Sequence, residues 1–150
     1  MVDYLAKLRS RPELPEPSFP LAEYRARLDA ACAAMADRDI DVVLFNHLPS
    51  ICYLSGYQTP ATSDHNCFFL SRDGRTALQV IEHEIPNAVL TSCIDDVRGF
   101  RWYEPDTIPA QMLSILDDLR NARHNLTIGI EKDRPGMTVG LFGVLKQRLP

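Results

Sequence analysis

The sequence predicts a three-layer α/β fold, a mixed sheet of five to six strands with an antiparallel hairpin and helices on both faces. Three observations predict it. Leu21, Tyr24, Leu28, Ala31, Cys32 and Met35 recur at steps of three and four, the stripe of an amphipathic helix. Val42-Val43-Leu44-Phe45 follows, an unbroken β-favouring run of the kind a strand covered on both faces shows. Further on, Asp73-Gly74 joins two more β-favouring runs, and its glycine supplies the positive φ of a tight hairpin turn.

Taken in order, residues 1–19 read as a proline-rich amino-terminal arm. Pro12, Pro15, Pro17 and Pro20 each remove a backbone donor and fix φ, and Tyr4, Leu5 and Leu8 span too short a stretch for a stable isolated helix. The domain proper covers 20–150, with Pro20 expected in the first turn of the first helix. After the first strand, Ile51 to Leu54 predicts a brief helix, and Gly56 to Asn66 a polar loop. The hairpin strands are Asn66 to Ser71 and Arg75 to Ile81. Ile85, Ala88 and Val89 share a helical face, and Asp96 to Phe100 alternates as a strand. A helix through Ile108, Met112, Ile115, Leu116 and Leu119 follows, with Thr107 as its expected cap. Thr127 to Glu131 reads as a strand. The final helix, Thr138 to Leu149, should bury Val139, Phe142, Leu145 and Leu149. The chain closes on this helix with no strand after it, which predicts a piece of something longer.

The 150 residues are 45% apolar and carry a formal charge of -4, the wrong sign for neutralising phosphates, so nucleic acid is not an expected partner. The longest apolar stretch, Ala30 to Ala36, is mostly alanine and far short of the roughly 20 residues that cross a bilayer, so no membrane partner is expected. The first residues lack a basic segment and an apolar core of the signal-peptide kind, and a cytoplasmic location is expected. Cys32, Cys52, Cys67 and Cys93 form no C-x-x-C pair and read as small core hydrophobes.

Glycine-rich phosphate loops, a nucleophile elbow and a complete zincin motif are all missing. His83-Glu84 begins like H-E-x-x-H but meets Asn87 where the second histidine belongs, and reads as polar residues at a helix start. Asp37, Asp39 and Asp41 lack the glycine and closing glutamate of a calcium loop and fit a helix end leading into a strand. Asn125-Leu126-Thr127 is a glycosylation sequon in spelling alone, and His124 reads as surface. No residue is assigned a catalytic or metal-binding role. The candidates for a substrate rim are His47, at the carboxyl end of the first strand where open α/β sheets place ligands, together with Tyr57, Asp64 and His65 in or beside the polar loop.

Three segments carry a resemblance. Glu23-Tyr24-Arg25-Ala26-Arg27-Leu28, then Asp39-Ile40-Asp41-Val42-Val43-Leu44, then Ile51-Cys52-Tyr53-Leu54-Ser55-Gly56-Tyr57 occur in the order found in the amino-terminal domain of the creatinase, prolidase and aminopeptidase P superfamily, and Ile128-Gly129-Ile130-Glu131 is similar to that family's "iGiE" strand. The resemblance runs from about Phe19 to Pro150. It implies a creatinase amino-terminal domain-like fold with a ribonuclease H-like motif.

It also implies a domain that is not catalytic by itself. In the family, catalysis resides in a carboxy-terminal "pita-bread" domain, where carboxylates and a histidine hold a divalent metal pair (Mn, Co or Zn) in the peptidases. That domain is absent here, so no cofactor is expected in this chain. The implied partners are its own carboxy-terminal catalytic domain and a second copy in a homodimer, and the implied role is dimer interface and active-site rim of a hydrolase. Creatinases bind a substrate carboxylate with an aromatic residue and an arginine in the loop after this tyrosine. An ungapped count puts Thr62 and Asp64 there, which argues against creatine and leaves the Xaa-Pro peptidase branch as the closer likeness. The alternative is a self-standing protein-binding module of the same fold, as in histone-chaperone subunits. A flavodoxin-like nucleotide binder is disfavoured, because Asn46-His47-Leu48-Pro49 stands where a glycine-rich loop would be.

Overall fold

The computed structural model describes residues 6, 10, 18–104, 106–120 and 125–149. Most of the predicted arm, including Tyr4, Leu5, Leu8, Pro12, Pro15 and Pro17, lies outside the described residues, as does His124. The elements are α1 (Leu21–Ala36), β1 (Val42–Phe45), α2 (Leu48–Ser55), β2 (Cys67–Ser71), β3 (Thr76–Ile81), a 3₁₀ turn (Glu82–Glu84), α3 (Ile85–Thr91), β4 (Val97–Phe100), α4 (Thr107–Leu119), β5 (Ile128–Ile130) and α5 (Val139–Arg148).

Five strands form one mixed sheet in the order β4-β3-β2-β1-β5. The hairpin pairs β2 with β3 antiparallel, Phe69 opposite Ala77, and its turn places Gly74 at φ 86°. β1 also runs antiparallel to β2, with Phe45 opposite Phe68, whereas β5 joins β1 and β4 joins β3 in parallel. The period of two along each strand divides the core in two. On one face Phe68, Leu70, Leu78 and Val80 pack against Met35 of α1, Ile51 and Leu54 of α2 and Ile85, Ala88 and Val89 of α3. On the other, Val42, Leu44, Cys67, Phe69 and Ala77 meet Met112, Ile115, Leu116 and Leu119 of α4 and Leu145 of α5. The central strand β2 is buried along its whole length, which is why Cys67-Phe68-Phe69-Leu70 shows no alternation.

Several sequence expectations need correction. Pro20 sits just ahead of α1 as its cap residue, with extended backbone, and Leu21 is exposed because the helix's inner face begins at Tyr24. The helix expected over Ile51 to Leu54 starts earlier, at Leu48, with Pro49 in its first turn. Thr107 is the first residue of α4, not its cap; its hydroxyl donates to the Glu104 carbonyl, and Asp106 precedes the helix. In α5 the hydroxyl of Thr138 accepts from Leu141 N, and the inward side chains are Leu141, Leu145 and Leu149. Val139, 89% exposed, and Phe142 face outward instead.

Long polar side chains hold the helices to the sheet. Arg75, beside the hairpin, donates to the carbonyls of Asp118 and Leu119 at 2.8 and 2.6 Å and so caps the carboxyl end of α4. Arg72 pairs with Asp39 at 2.8 Å and with Asp41, which gives the aspartates before β1 a structural role at the end of the sheet away from the candidate loops. The cysteines are free; Cys67 is fully buried and the others half-buried.

Candidate functional site

The strand directions bring the carboxyl ends of β1, β3, β4 and β5 and the amino end of β2 to one edge of the sheet. A cavity of about 880 Å³ opens there, bordered by Asn46 and His47 after β1, the loop Thr62–Asn66 before β2, Asp106 and Ile108 at the start of α4, and Pro135, Gly136 and Thr138 before α5. Of the four rim candidates it brings together His47, Asp64 and His65.

Tyr57 is the exception. Its ring is fully buried in the core beneath α1, α2 and α3 and does not border the cavity. Gly56 ends α2 in the left-handed region at φ 79°, and a Cβ there would meet the Tyr24 ring and the Thr91 carbonyl at 3.1 Å. The chain therefore turns inward immediately after the helix. The Tyr57 hydroxyl donates to Glu84 at 3.1 Å, and burial pushes the phenol well above its usual range. Glu84 also accepts from Thr59 Oγ1 at 2.7 Å and Asn87 Nδ2 at 2.9 Å. Burial alone would raise its carboxyl, but these hydrogen bonds outweigh it and hold the group below the ordinary glutamate value. The network anchors the near end of the polar loop.

The floor under the far end is also polar. Gln79, fully buried, donates through Nε2 to Ile108 O at 3.1 Å and Gln111 Oε1 at 2.9 Å. Its Oε1 is thus the acceptor that faces His65 Nε2 at 3.1 Å, so Nε2 carries the proton and Nδ1 is left as an acceptor in the neutral ring. The ring also meets Phe100 edge-on at 5.6 Å between centroids. Desolvation lowers the His65 pKa, against a smaller opposing effect from Gln79.

Glu131 holds Asn46 and His47 of the opposite wall in place. Its Oε2 accepts from the backbone N–H groups of Asn46 at 2.9 Å and His47 at 2.8 Å, and its Oε1 from Ser50 Oγ at 2.6 Å. A carboxylate at the end of β5 thereby satisfies donors at the amino end of α2 and complements the helix dipole there. His47 Nδ1 lies 3.3 Å from Ser50 Oγ. Since Ser50 donates to Glu131, the histidine nitrogen is the donor in that contact. Gly136 presses on Asn46 so closely that a Cβ would stand 2.2 Å from the Asn46 carbonyl oxygen.

Sequence reasoning missed Asn46, Asn66, Asp106 and Glu131. Asp106 carried a signal, an N-cap-type residue directly before the apolar periodicity of α4. Glu131 carried one only within the "iGiE" likeness. Among the described residues, no three His, Cys, Asp or Glu side chains come together as a metal-binding group, and no helix is long and apolar enough to cross a membrane.

The family model described as Creatinase/Prolidase N-terminal domain matches residues 27–150. Among solved structures, the N-terminal, creatinase/prolidase-like domain of a Corynebacterium diphtheriae protein superposes with a TM-score of 0.62 at 18% identity, covering 85% of this chain and 89% of that one. An Xaa-Pro aminopeptidase structure from Streptococcus pyogenes gives 0.62 at 18% identity, with 87% and 88% covered. The Xaa-Pro dipeptidase from Bacillus anthracis gives 0.66 at 13% identity; 84% of this chain is covered, and it spans only 31% of that enzyme. At these identities the structures speak to the fold. No curated protein sequence matches significantly.

Proposed function

The chain belongs to the family of creatinase/prolidase N-terminal domains, and from that premise we propose that it serves as the non-catalytic amino-terminal domain of a Xaa-Pro dipeptidase- or aminopeptidase-like hydrolase. In this reading the loop edge of the sheet forms part of the rim of an active site whose reacting groups belong to a catalytic domain, and the domain takes part in a homodimer. The observation that carries the reading is the convergence of His47, Asp64 and His65 on one large cavity at the carboxyl ends of the strands. Both ends of the loop that supplies Asp64 and His65 are held, by the Glu84 network at one side and by β2 at the other, so its side chains can be aimed.

The chemistry is divided accordingly. Peptide hydrolysis by a metal pair needs a converging set of carboxylates and imidazoles to hold the ions and activate water. The rim groups here are suited to binding: acceptors and an apolar wall of Leu48, Pro49, Ile108 and Leu141 to orient a substrate. Any divalent pair belongs in this reading to the catalytic domain.

Two measurements test it. The isolated chain with added manganese, cobalt or zinc should not cleave alanyl-proline, and chelator-sensitive cleavage by the pure chain would overturn the division of labour. The native polypeptide carrying this sequence should cleave a Xaa-Pro peptide, and His65→Gln in it should raise KM by about threefold or more with kcat nearly unchanged, the pattern of lost binding. An active enzyme indifferent to His65→Gln and Asp64→Asn would remove the rim role.

A further inference from the structure

The cavity at the loop edge is one-sided in its hydrogen-bonding chemistry. Asp64 and Asp106 both border it, and neither carboxylate has an ion-pair or hydrogen-bond partner among the described residues. Among the described residues, no lysine or arginine borders it. Asn46 and Asn66, 6% and 5% exposed, line it as well. Each uses its amide nitrogen, Asn46 to the Asn66 carbonyl and Asn66 to the Asp64 carbonyl, both at 3.0 Å. Each is left with an Oδ1 that has no donor. Buried polar atoms are almost always paired, so two unpaired acceptors on residues that line one cavity point to a donor that comes from elsewhere.

Helix amino ends also approach this edge and favour anions. Glu131 accepts from the N–H groups of Asn46 and His47 just ahead of α2 and Thr138 from Leu141 N in α5, while Asp106 adds its own negative charge at the start of α4 without a capping hydrogen bond. Arg27 and Arg134 border a second groove, which meets the cavity at His47 and Pro49, and do not line the cavity itself.

We infer that this cavity receives a cationic hydrogen-bond donor on an apolar body, a protonated amine or a guanidinium, and rejects a carboxylate. Asp64 and Asp106 supply the charge, the two asparagine oxygens and His65 Nδ1 supply further acceptors, and Leu48, Pro49, Ile108, Pro109, Leu141 and Val144 supply the apolar wall. The inference deepens the rim reading by naming the charge of the substrate group that the rim selects.

The test titrates the chain with benzylamine, benzylguanidine, benzoate and benzyl alcohol, followed by two-dimensional NMR of the Asn46 and Asn66 side-chain amides and the His65 ring. Ligands of this size are expected to bind in the millimolar range. Benzylamine or benzylguanidine should bind at least about tenfold more tightly than benzoate, because like charges are disfavoured in a partly desolvated site. Asp64→Asn and Asp106→Asn should each weaken the amine severalfold and leave benzyl alcohol unchanged. Benzoate binding as tightly as benzylamine would overturn the inference, and so would cavity resonances that do not move with either cation up to about 50 mM. The ligand comparison needs no variant, so a misfolded substitution cannot obscure it. Amine binding in a native protein without Xaa-Pro hydrolysis would strike the peptidase reading alone. Hydrolysis with a KM effect at His65, but with benzoate preferred, would strike this inference alone.

Discussion

Removing the Glu131 carboxylate should loosen the candidate site and destabilise the whole domain. Glu131→Ala deletes the acceptor for the backbone N–H groups of Asn46 and His47 and for the Ser50 hydroxyl, at 2.9, 2.8 and 2.6 Å. A hydrogen bond to a charged group is worth about 1.5–3 kcal/mol net, but Glu131 is only half-buried and water would replace part of the loss. About 3 kcal/mol is therefore expected for alanine, and about 1 kcal/mol for Glu131→Gln, which keeps a carbonyl acceptor and loses the charge. At roughly 2–4 °C per kcal/mol for a domain of this length, the alanine variant should melt about 6–12 °C lower. Thermal unfolding followed by circular dichroism measures the shift, and amide hydrogen exchange localises it: His47 and Asn46 should exchange markedly faster. A melting temperature within about 1 °C of the parent, with those amides still protected, would refute the role given to Glu131.

Other outcomes follow from the same geometry. Glu84→Ala strands the Tyr57 hydroxyl, Thr59 Oγ1 and one Asn87 contact, and should cost about 2–4 kcal/mol in urea unfolding, whereas Tyr57→Phe should cost about 1 kcal/mol; equal losses would show that the carboxylate is not the hub. Phe69→Ala empties a fully buried site between β2 and α4 and should cost about 3–5 kcal/mol; less than about 1 kcal/mol would contradict the packing. The His65 pKa is lowered in the fold, so the unfolded chain binds the extra proton first. The stability that the neutral ring contributes is intact above about pH 6.5 and is lost as pH falls toward the folded pKa, so the wild type should weaken more than His65→Gln between about pH 7 and pH 5. Parallel stability curves for the two proteins would exclude that linkage.

The parts of the fold legible in the sequence were those whose local pattern and tertiary environment agree. The α1 stripe, the β1 run and the Asp73-Gly74 hairpin each state one structure at short range, and the sheet keeps all three. The parts that misled were set from a distance. In α5 a period of three and four runs equally well through Val139 and Phe142 or through Leu141 and Leu145, and what selects the second is the face the helix turns to β1, β2 and α4 once Thr138 caps it. Tyr57 read as a rim residue because polar neighbours follow it; it does lie in the loop, but its ring turns into the core. The overlooked signal is Gly56 before it: an apolar residue just after a left-handed helix-ending glycine commonly folds back onto the helix, and the aromatic ring does so here. Glu131 was out of reach of any local rule, since its hydrogen-bond partners lie more than eighty positions earlier in the chain.

The residues that carry the family likeness and the residues that border the cavity are largely different sets, and the difference has a physical cause. Leu54, Gly56 and Tyr57 close the core and reverse the chain after α2, and Ile128 to Ile130 pair with β1 so that Glu131 can reach the start of α2. These positions fix where the loop edge begins and how its walls stand, and substitution there would be felt as lost folding energy. Thr62, Ser63 and Asp64 lie between the fixed ends, border the cavity and bear little of the core, so their side chains can change with small cost to the fold, whereas His65 is tied to Gln79 and Phe100. The likeness therefore identifies the scaffold, and in the proposed reading ligand choice rests on the short span between its anchors. In this chain that span presents an unpaired carboxylate and a histidine held neutral by burial beside two unpaired amide oxygens. In the inferred reading, a partner matched to that wall brings donors and positive charge.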